Sequence, residues 1–160
     1  MKKLLILAAT ATLFAVSSCK KEETATPTPV TYSKVYLNKI EVNAIPFVDA
    51  NNNTWDLSNG PDCYVVLAES TTGDEASFKD YKIDDVQSQQ LPIWWSLTTP
   101  GQLDFAATYM VTVYDADSPD ADDNIGFNTF TLSDLGTKGY PAKITSTRWG
   151  VTTTLYLTYG

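Results

Sequence analysis

The chain has 160 residues, 11 of them basic and 19 acidic, for a formal charge of −8. Such a surface lacks the basic footprint that displaces phosphate counterions, which excludes nucleic acid as a partner. There is no histidine, which removes the commonest general base, the usual zinc ligand and any Ser-His or Cys-His nucleophile pair, and leaves carboxylates as the main chemical resource.

At the N-terminus Lys2 and Lys3 precede an apolar run from Leu4 to Val16, too short to span a bilayer comfortably, and the small residues Ser17 and Ser18 lead into Cys19. Residues 1–18 therefore read as a signal peptide for export. The segment Val16-Ser17-Ser18-Cys19 resembles the bacterial lipobox, which implies that Cys19 is the lipid attachment point and membrane anchor. With Cys19 acylated, Cys63 has no partner for an internal disulfide. The next four residues, Lys20-Lys21-Glu22-Glu23, are similar to the surface-export signal of Bacteroidota-type lipoproteins. That likeness implies an outer-membrane lipoprotein exposed on the cell surface. Thr24 to Thr31, with Pro27 and Pro29 among threonines, cannot build a core and reads as an extended spacer, so residues 19–33 form a lipidated tether.

From residue 34 to 160 the pattern is all-β. Val151, Thr153, Leu155, Leu157 and Tyr159 fall on one face of a final strand, with Thr152, Thr154, Tyr156 and Thr158 opposite. Tyr109, Val111 and Val113 alternate with Met110, Thr112 and Tyr114. Further strands are expected over 35–44, 63–69, 78–83, 91–97, 103–106, 126–132 and 142–148. They are punctuated by turn chemistry at Asn59-Gly60-Pro61, Thr72-Gly73-Asp74, Pro100-Gly101 and Gly136 to Gly139. Eight or nine short strands at this spacing predict a β-sandwich or barrel.

Two acidic stretches interrupt the pattern. Asp115, Asp117, Asp120, Asp122 and Asp123 crowd into the loop after strand 108–114, and Asp49, Asp56 and Asp62 lie in the loop feeding Cys63. Packed carboxylates repel unless protons or a cation intervene, and hard oxygens on a flexible loop suit Ca²⁺. An EF-hand over 115–126 is excluded, because Asp120 stands where the loop needs glycine, Gly126 where it needs glutamate, and no flanking helix is evident.

The spacing Asp56-x5-Asp62-Cys63-Tyr64-Val65, followed by Asp115-x-Asp117-x5-Asp123-Asn124-Ile125-Gly126, resembles the paired loops of calcium-binding C2 domains. Leu91-Pro92-Ile93-Trp94 is similar to the family's lead into its middle strands, and the likeness covers most of residues 38–132. It implies an eight-stranded antiparallel Greek-key β-sandwich, with Asp56, Asp62, Asp115, Asp117 and Asp123 as calcium ligands at one end. The carbonyls of Leu57 and Ala116 are further candidate oxygens, and Asp49 or Asp122 would serve a second ion. Cys63 replaces the family's proline, as a packing thiol. The inserted stretch Asp49 to Trp55 leaves open whether Asp49 or Asp56 comes first.

The resemblance implies a lipid-anchored cell-envelope module whose bound calcium mediates attachment to anionic phospholipid or another surface ligand. The alternative is a calcium-stabilised carbohydrate-binding or structural adhesion module, contacting a glycan or surface protein. Of Trp55, Trp94, Trp95 and Trp149, Trp55 is the ligand-contact candidate because it sits in the acidic loop. Trp94 and Trp95 must point to opposite faces of a strand, so at least one belongs to the core. Catalysis is not expected, since the aspartates cluster too densely on short loops to act as a separated acid and base.

Overall fold

The computed structural model describes residues 30–56 and 60–160. The signal segment, Cys19, most of the tether and the Leu57 carbonyl lie outside the described residues. Among the described residues no helix is long and apolar enough to cross a membrane.

Thr31–Gly160 forms one compact unit of eight strands: β1 Val35–Ala44, β2 Cys63–Glu69, β3 Glu75–Ser77, β4 Ile93–Leu103, β5 Thr108–Asp115, β6 Asp123–Thr131, β7 Lys143–Arg148 and β8 Val151–Tyr159. They make two four-stranded antiparallel sheets, ordered β4-β1-β8-β7 and β3-β2-β5-β6. The chain crosses between sheets after β1, β3, β4 and β6, which gives the expected C2-like sandwich.

Alternation decides which side chains enter the core. On β8, Val151, Thr153, Leu155 and Leu157 are buried, and on β5 Tyr109, Val111 and Val113. On β1 the inward set is Val35 and Leu37, then Ile40 and Val42, an odd step that a bulge at Asn38 accommodates. Without that extra residue half of the strand would turn its apolar side chains to water. Burying one such leucine stabilises the fold by about 2 kcal/mol.

Two sequence expectations shift. The strand expected over 78–83 is a 3-10 turn at Lys79–Tyr81, because Tyr81 N–H donates to the Phe78 carbonyl (2.9 Å) instead of extending the three-residue β3. The segments 91–97 and 103–106 do not form two strands. Ile93–Leu103 is continuous and Pro100-Gly101 lies within it, because Ser96 pairs with Lys39 and Gly101 with Leu37. Residues 97–100 therefore arch out of the sheet, and the arch replaces the turn.

The two ends of the sandwich differ in chemistry. One is sealed by rings: Tyr32, Phe105, Tyr140 and Tyr159 meet at centroid distances from 4.8 to 6.3 Å. The other collects the loops that carry the aspartates.

Candidate metal centre

The acidic end is built by strand parity. Asp115 follows Tyr109, Val111 and Val113 on the inward face of β5, so the strand that fills the core also drives a carboxylate into its rim. Asp115 is fully buried. Its Oδ1 accepts the Asp62 backbone N–H at 2.6 Å, while the buried Oδ2 has no hydrogen-bond partner. Ala116 N–H donates to the Asp62 carbonyl (3.0 Å), which pins the start of the loop after β5 to the end of the loop before β2. Gly126 keeps the opposite wall close, since a Cβ there would lie 2.7 Å from Val151 Cγ2.

Asp56, Asp115 and Asp117 each place a carboxylate oxygen within 4.8 Å of the others. With calcium–oxygen distances of about 2.4 Å, ligands on opposite sides of one ion stand about 4.8 Å apart. The three groups thus span one coordination sphere. A cavity of about 660 Å³ beside them is walled by Asp56, Asp62, Asp117 and Asp120, with Lys79 and Lys82.

Crowding raises the proton affinity of these carboxylates. Burial, and then the neighbouring Asp56, Asp117 and Asp62 charges, push the Asp115 carboxyl up to about 6, against the opposing Asp62 hydrogen bond. Asp56 and Asp117 are also raised, each first by burial and then by nearby carboxylates, Asp62 for the former and Asp123 for the latter.

The other expected ligands are placed differently. Asp62 lines the cavity, but its Oδ2 receives the Lys82 ammonium at 2.5 Å and its Oδ1 the Asp85 backbone N–H at 2.9 Å. Burial alone would raise its pKa; Lys82 and Asp85 bring it below the usual carboxylate range. Asp122 is held by Lys79 (2.5 Å) and the Tyr64 hydroxyl (2.6 Å), and Lys79 holds its carboxyl low. Asp123 is exposed on the rim and reaches Asp117 through its backbone N–H. Asp49 stands outside the grouped carboxylates and closes its own turn by accepting the N–H groups of Asn51 and Asn53, both at 2.8 Å. The geometry thus puts Asp56, not Asp49, beside Asp115.

Trp55 does not project from its loop: it packs against the core, and its indole N–H donates to the Pro46 carbonyl at 2.7 Å. The tryptophans that face solvent are Trp94 and Trp149, 55% and 67% exposed, whereas Trp95 is buried. Cys63 is a buried thiol that burial, then Asp115 and Asp62, push up to about 12, which makes it inert packing at neutral pH.

Lys79 and Lys82 are the site residues that sequence reasoning missed. Cys63 and Ile83 exchange backbone hydrogen bonds (2.9 and 2.8 Å), and this isolated bridge lays Lys82 alongside Asp62. The available signal was the alternation of Lys79, Asp80, Lys82 and Asp84 in a segment read as an ordinary strand.

The architecture is an eight-stranded antiparallel sandwich, and solved structures share that fold. Human GIVD cytosolic phospholipase A2 in complex with methyl gamma-linolenyl fluorophosphonate matches 81% of this chain at 17% identity and a TM-score of 0.52. The same human enzyme with that inhibitor and terbium chloride matches 79% at 17% identity and a TM-score of 0.50. The chain spans only 17% and 18% of those enzymes' lengths. A C2 domain of plant extended synaptotagmin 1 is covered over 96% of its length, and 83% of this chain, at 16% identity and a TM-score of 0.44. At these identities the likeness establishes the fold alone. No family model matches the chain, and no curated protein matches it in sequence.

Proposed function

We propose that the chain is a calcium-binding module of the cell envelope, anchored by lipid at Cys19, and that calcium seated by Asp56, Asp115 and Asp117 attaches the domain to a phospholipid surface. The observation that carries this reading is the buried, unpartnered Asp115 Oδ2, grouped with two further carboxylates across the width of one ion. A buried carboxylate oxygen without a donor is unfavourable unless something fills the space beside it. The donor set is hard oxygen only, which suits calcium over zinc or copper. Asp62 and Asp123 join the shell if Lys82 and the rim yield to the ion.

A lipid partner is supported by what else reaches the acidic end. The β7–β8 hairpin turns at Arg148-Trp149-Gly150, and Gly150 stands beside Pro46 of the loop between β1 and β2. Trp149 is exposed and T-shaped against Phe127 at 5.3 Å, with the Arg148 guanidinium 4.0 Å from its ring. An indole suits the membrane interface, and arginine suits phosphate.

The test combines a thermal melt with vesicle sedimentation. Given a dissociation constant of about 0.1 mM, calcium at about 1 mM stabilises by about 1.4 kcal/mol, several degrees in Tm. Magnesium should give a much smaller shift, because it demands stricter geometry. Calcium should also carry the protein onto phosphatidylserine vesicles, and Trp149→Ala should weaken sedimentation without moving Tm. No calcium shift at millimolar concentration defeats the metal reading; a shift without sedimentation defeats the lipid reading alone.

A further inference from the structure

Beside the acidic end, the 3-10 turn and the edge strand β4 enclose a groove of about 440 Å³. This lies in the size range of small-ligand sites. Tyr81 and Trp94 are its exposed rings, 73% and 55% accessible, over a base of Phe78 and Trp95. Ser96, Thr98 and Thr99 supply hydroxyls, the last two from the arch at 97–100. The lining contains no charged side chain, in a chain of formal charge −8. A second, smaller concavity of about 250 Å³ shares Ile83 and Trp94 with the groove and adds Gln90, Pro92 and Ile93. Trp94 and Ile83 therefore line both of two adjoining uncharged hollows.

The parts are held in place before any ligand arrives. The Trp95 indole donates to the Tyr81 carbonyl at 2.9 Å, which locks the 3-10 turn onto β4. Lys39 lies over one face of Trp94, 5.6 Å from the ring centroid, and is fixed by Glu41 at 2.6 Å. Glu41 also accepts from Asn43 at 2.8 Å and from Tyr156 at 3.1 Å.

Exposed aromatic faces bordered by hydroxyls and an amide, with no net charge, complement a ring that is apolar on its C–H faces and hydroxylated at its edge. We infer that this groove binds a neutral polysaccharide chain, with one sugar ring stacked on Trp94 and its neighbours lying in the two hollows. Charge decides against a phosphate-bearing or acidic ligand, because no charged side chain is among the lining residues and the ammonium nearest Trp94, that of Lys39, is already paired with Glu41. The hydroxyl rim decides against a purely apolar peptide, which would leave Ser96, Thr98 and Thr99 without partners. The paired hollows favour a chain over a single sugar. This inference does not rest on the calcium reading, since none of the grouped aspartates lines the groove.

The test is isothermal titration and affinity electrophoresis of the full chain against cello-, manno-, laminari-, xylo- and malto-oligosaccharides, with polygalacturonate as the charged comparison. Each is run in EDTA and in calcium. The expected result is saturable binding of at least one neutral series in EDTA, with affinity for the longer oligomers above that for the monosaccharide. Trp94→Ala should weaken it at least about tenfold, as loss of a stacking anchor does. Tyr81→Ala should weaken it less, and Trp149→Ala and Asp115→Asn should leave it unchanged. Trp94 is exposed, so its removal should not move Tm, and a melt of each variant checks this. No binding by any neutral series at millimolar concentration overturns the inference, as does binding that survives Trp94→Ala. Either failure leaves the calcium-dependent melt and vesicle results intact, so the two readings fall separately.

Discussion

Glu41 and Asp115 are both buried acids, and they are satisfied in opposite ways. Burial would raise the Glu41 pKa, but hydrogen bonds from Lys39, Asn43 and Tyr156 together hold it below the usual carboxylate range. The network runs on through Asn43 to Thr154 (2.8 Å) and from Thr154 to Thr145 (2.8 Å), which knits the outer face of the first sheet. Asp115 receives one backbone N–H, faces three other aspartates, and keeps an oxygen with no donor. A fold that can surround one buried carboxylate with three donors is able to do the same for another. The difference sets Glu41 within the framework and leaves Asp115 with the oxygen that the proposed calcium would take.

The sharpest way to break this contrast is to neutralise each acid in turn. Glu41→Ala should destabilise by about 2–3 kcal/mol, equally with and without calcium, because it strands Lys39 and Asn43. Urea denaturation in the two conditions measures this. Asp115→Asn should do the reverse, raising the stability of the metal-free protein at pH 7 by about 2 kcal/mol while abolishing the calcium shift. If it destabilises the metal-free protein instead, the orphan oxygen is part of the framework and the contrast fails.

The pH dependence follows from the same pair. The folded chain holds the Asp115 proton more firmly than the unfolded chain, with a folded value of about 6. Its effect in EDTA is therefore a loss of stability as pH rises from about 4 to about 6, persisting above that. Glu41, lowered by folding, contributes stability above the ordinary carboxylate range and loses it as pH falls through its folded value. Melts in EDTA of Asp115→Asn should lack the decline toward pH 6, and calcium should erase it in the native protein.

A smaller effect sharpens the picture at the cavity wall. Lys82 bridges Asp62 and Asp84 and so would compete with the proposed ion for Asp62. Lys82→Met should tighten calcium binding a few-fold, read by titration at fixed ionic strength. Weaker binding would mean that Lys82 organises the site rather than occupying it.

How much of this was legible before the structure depends on the kind of signal. β5 and β8 could be read directly because period-two alternation is a local property of each strand. The grouping of Asp115 with Asp117 was legible in their spacing, since residues two apart in extended chain point to the same side. The capture of Asp62 by Lys82 was not legible, because it depends on the bridge between Cys63 and Ile83, a contact between segments twenty residues apart. The inward turn of Trp55 was not legible for a similar reason, since only the position of the Pro46 carbonyl draws its indole toward the core. The Tyr81–Trp94 groove was hidden by reading 78–83 as a strand, which would have sent its side chains to alternate sides.

The arch at 97–100 has one more consequence, for how copies of the molecule tolerate one another. An open sheet edge offers unpaired N–H and C=O groups to any neighbouring strand, and crowding makes that encounter frequent. β4 is such an edge, but for four residues its backbone leaves the ladder, and one of them, Pro100, has no N–H to give. On one side the other sheet ends in a strand of only three residues, β3, and β7 begins with Lys143 and ends with Arg148. An irregularity that looks like a flaw in the hydrogen-bond pattern thus acts as a guard against zipping into aggregates.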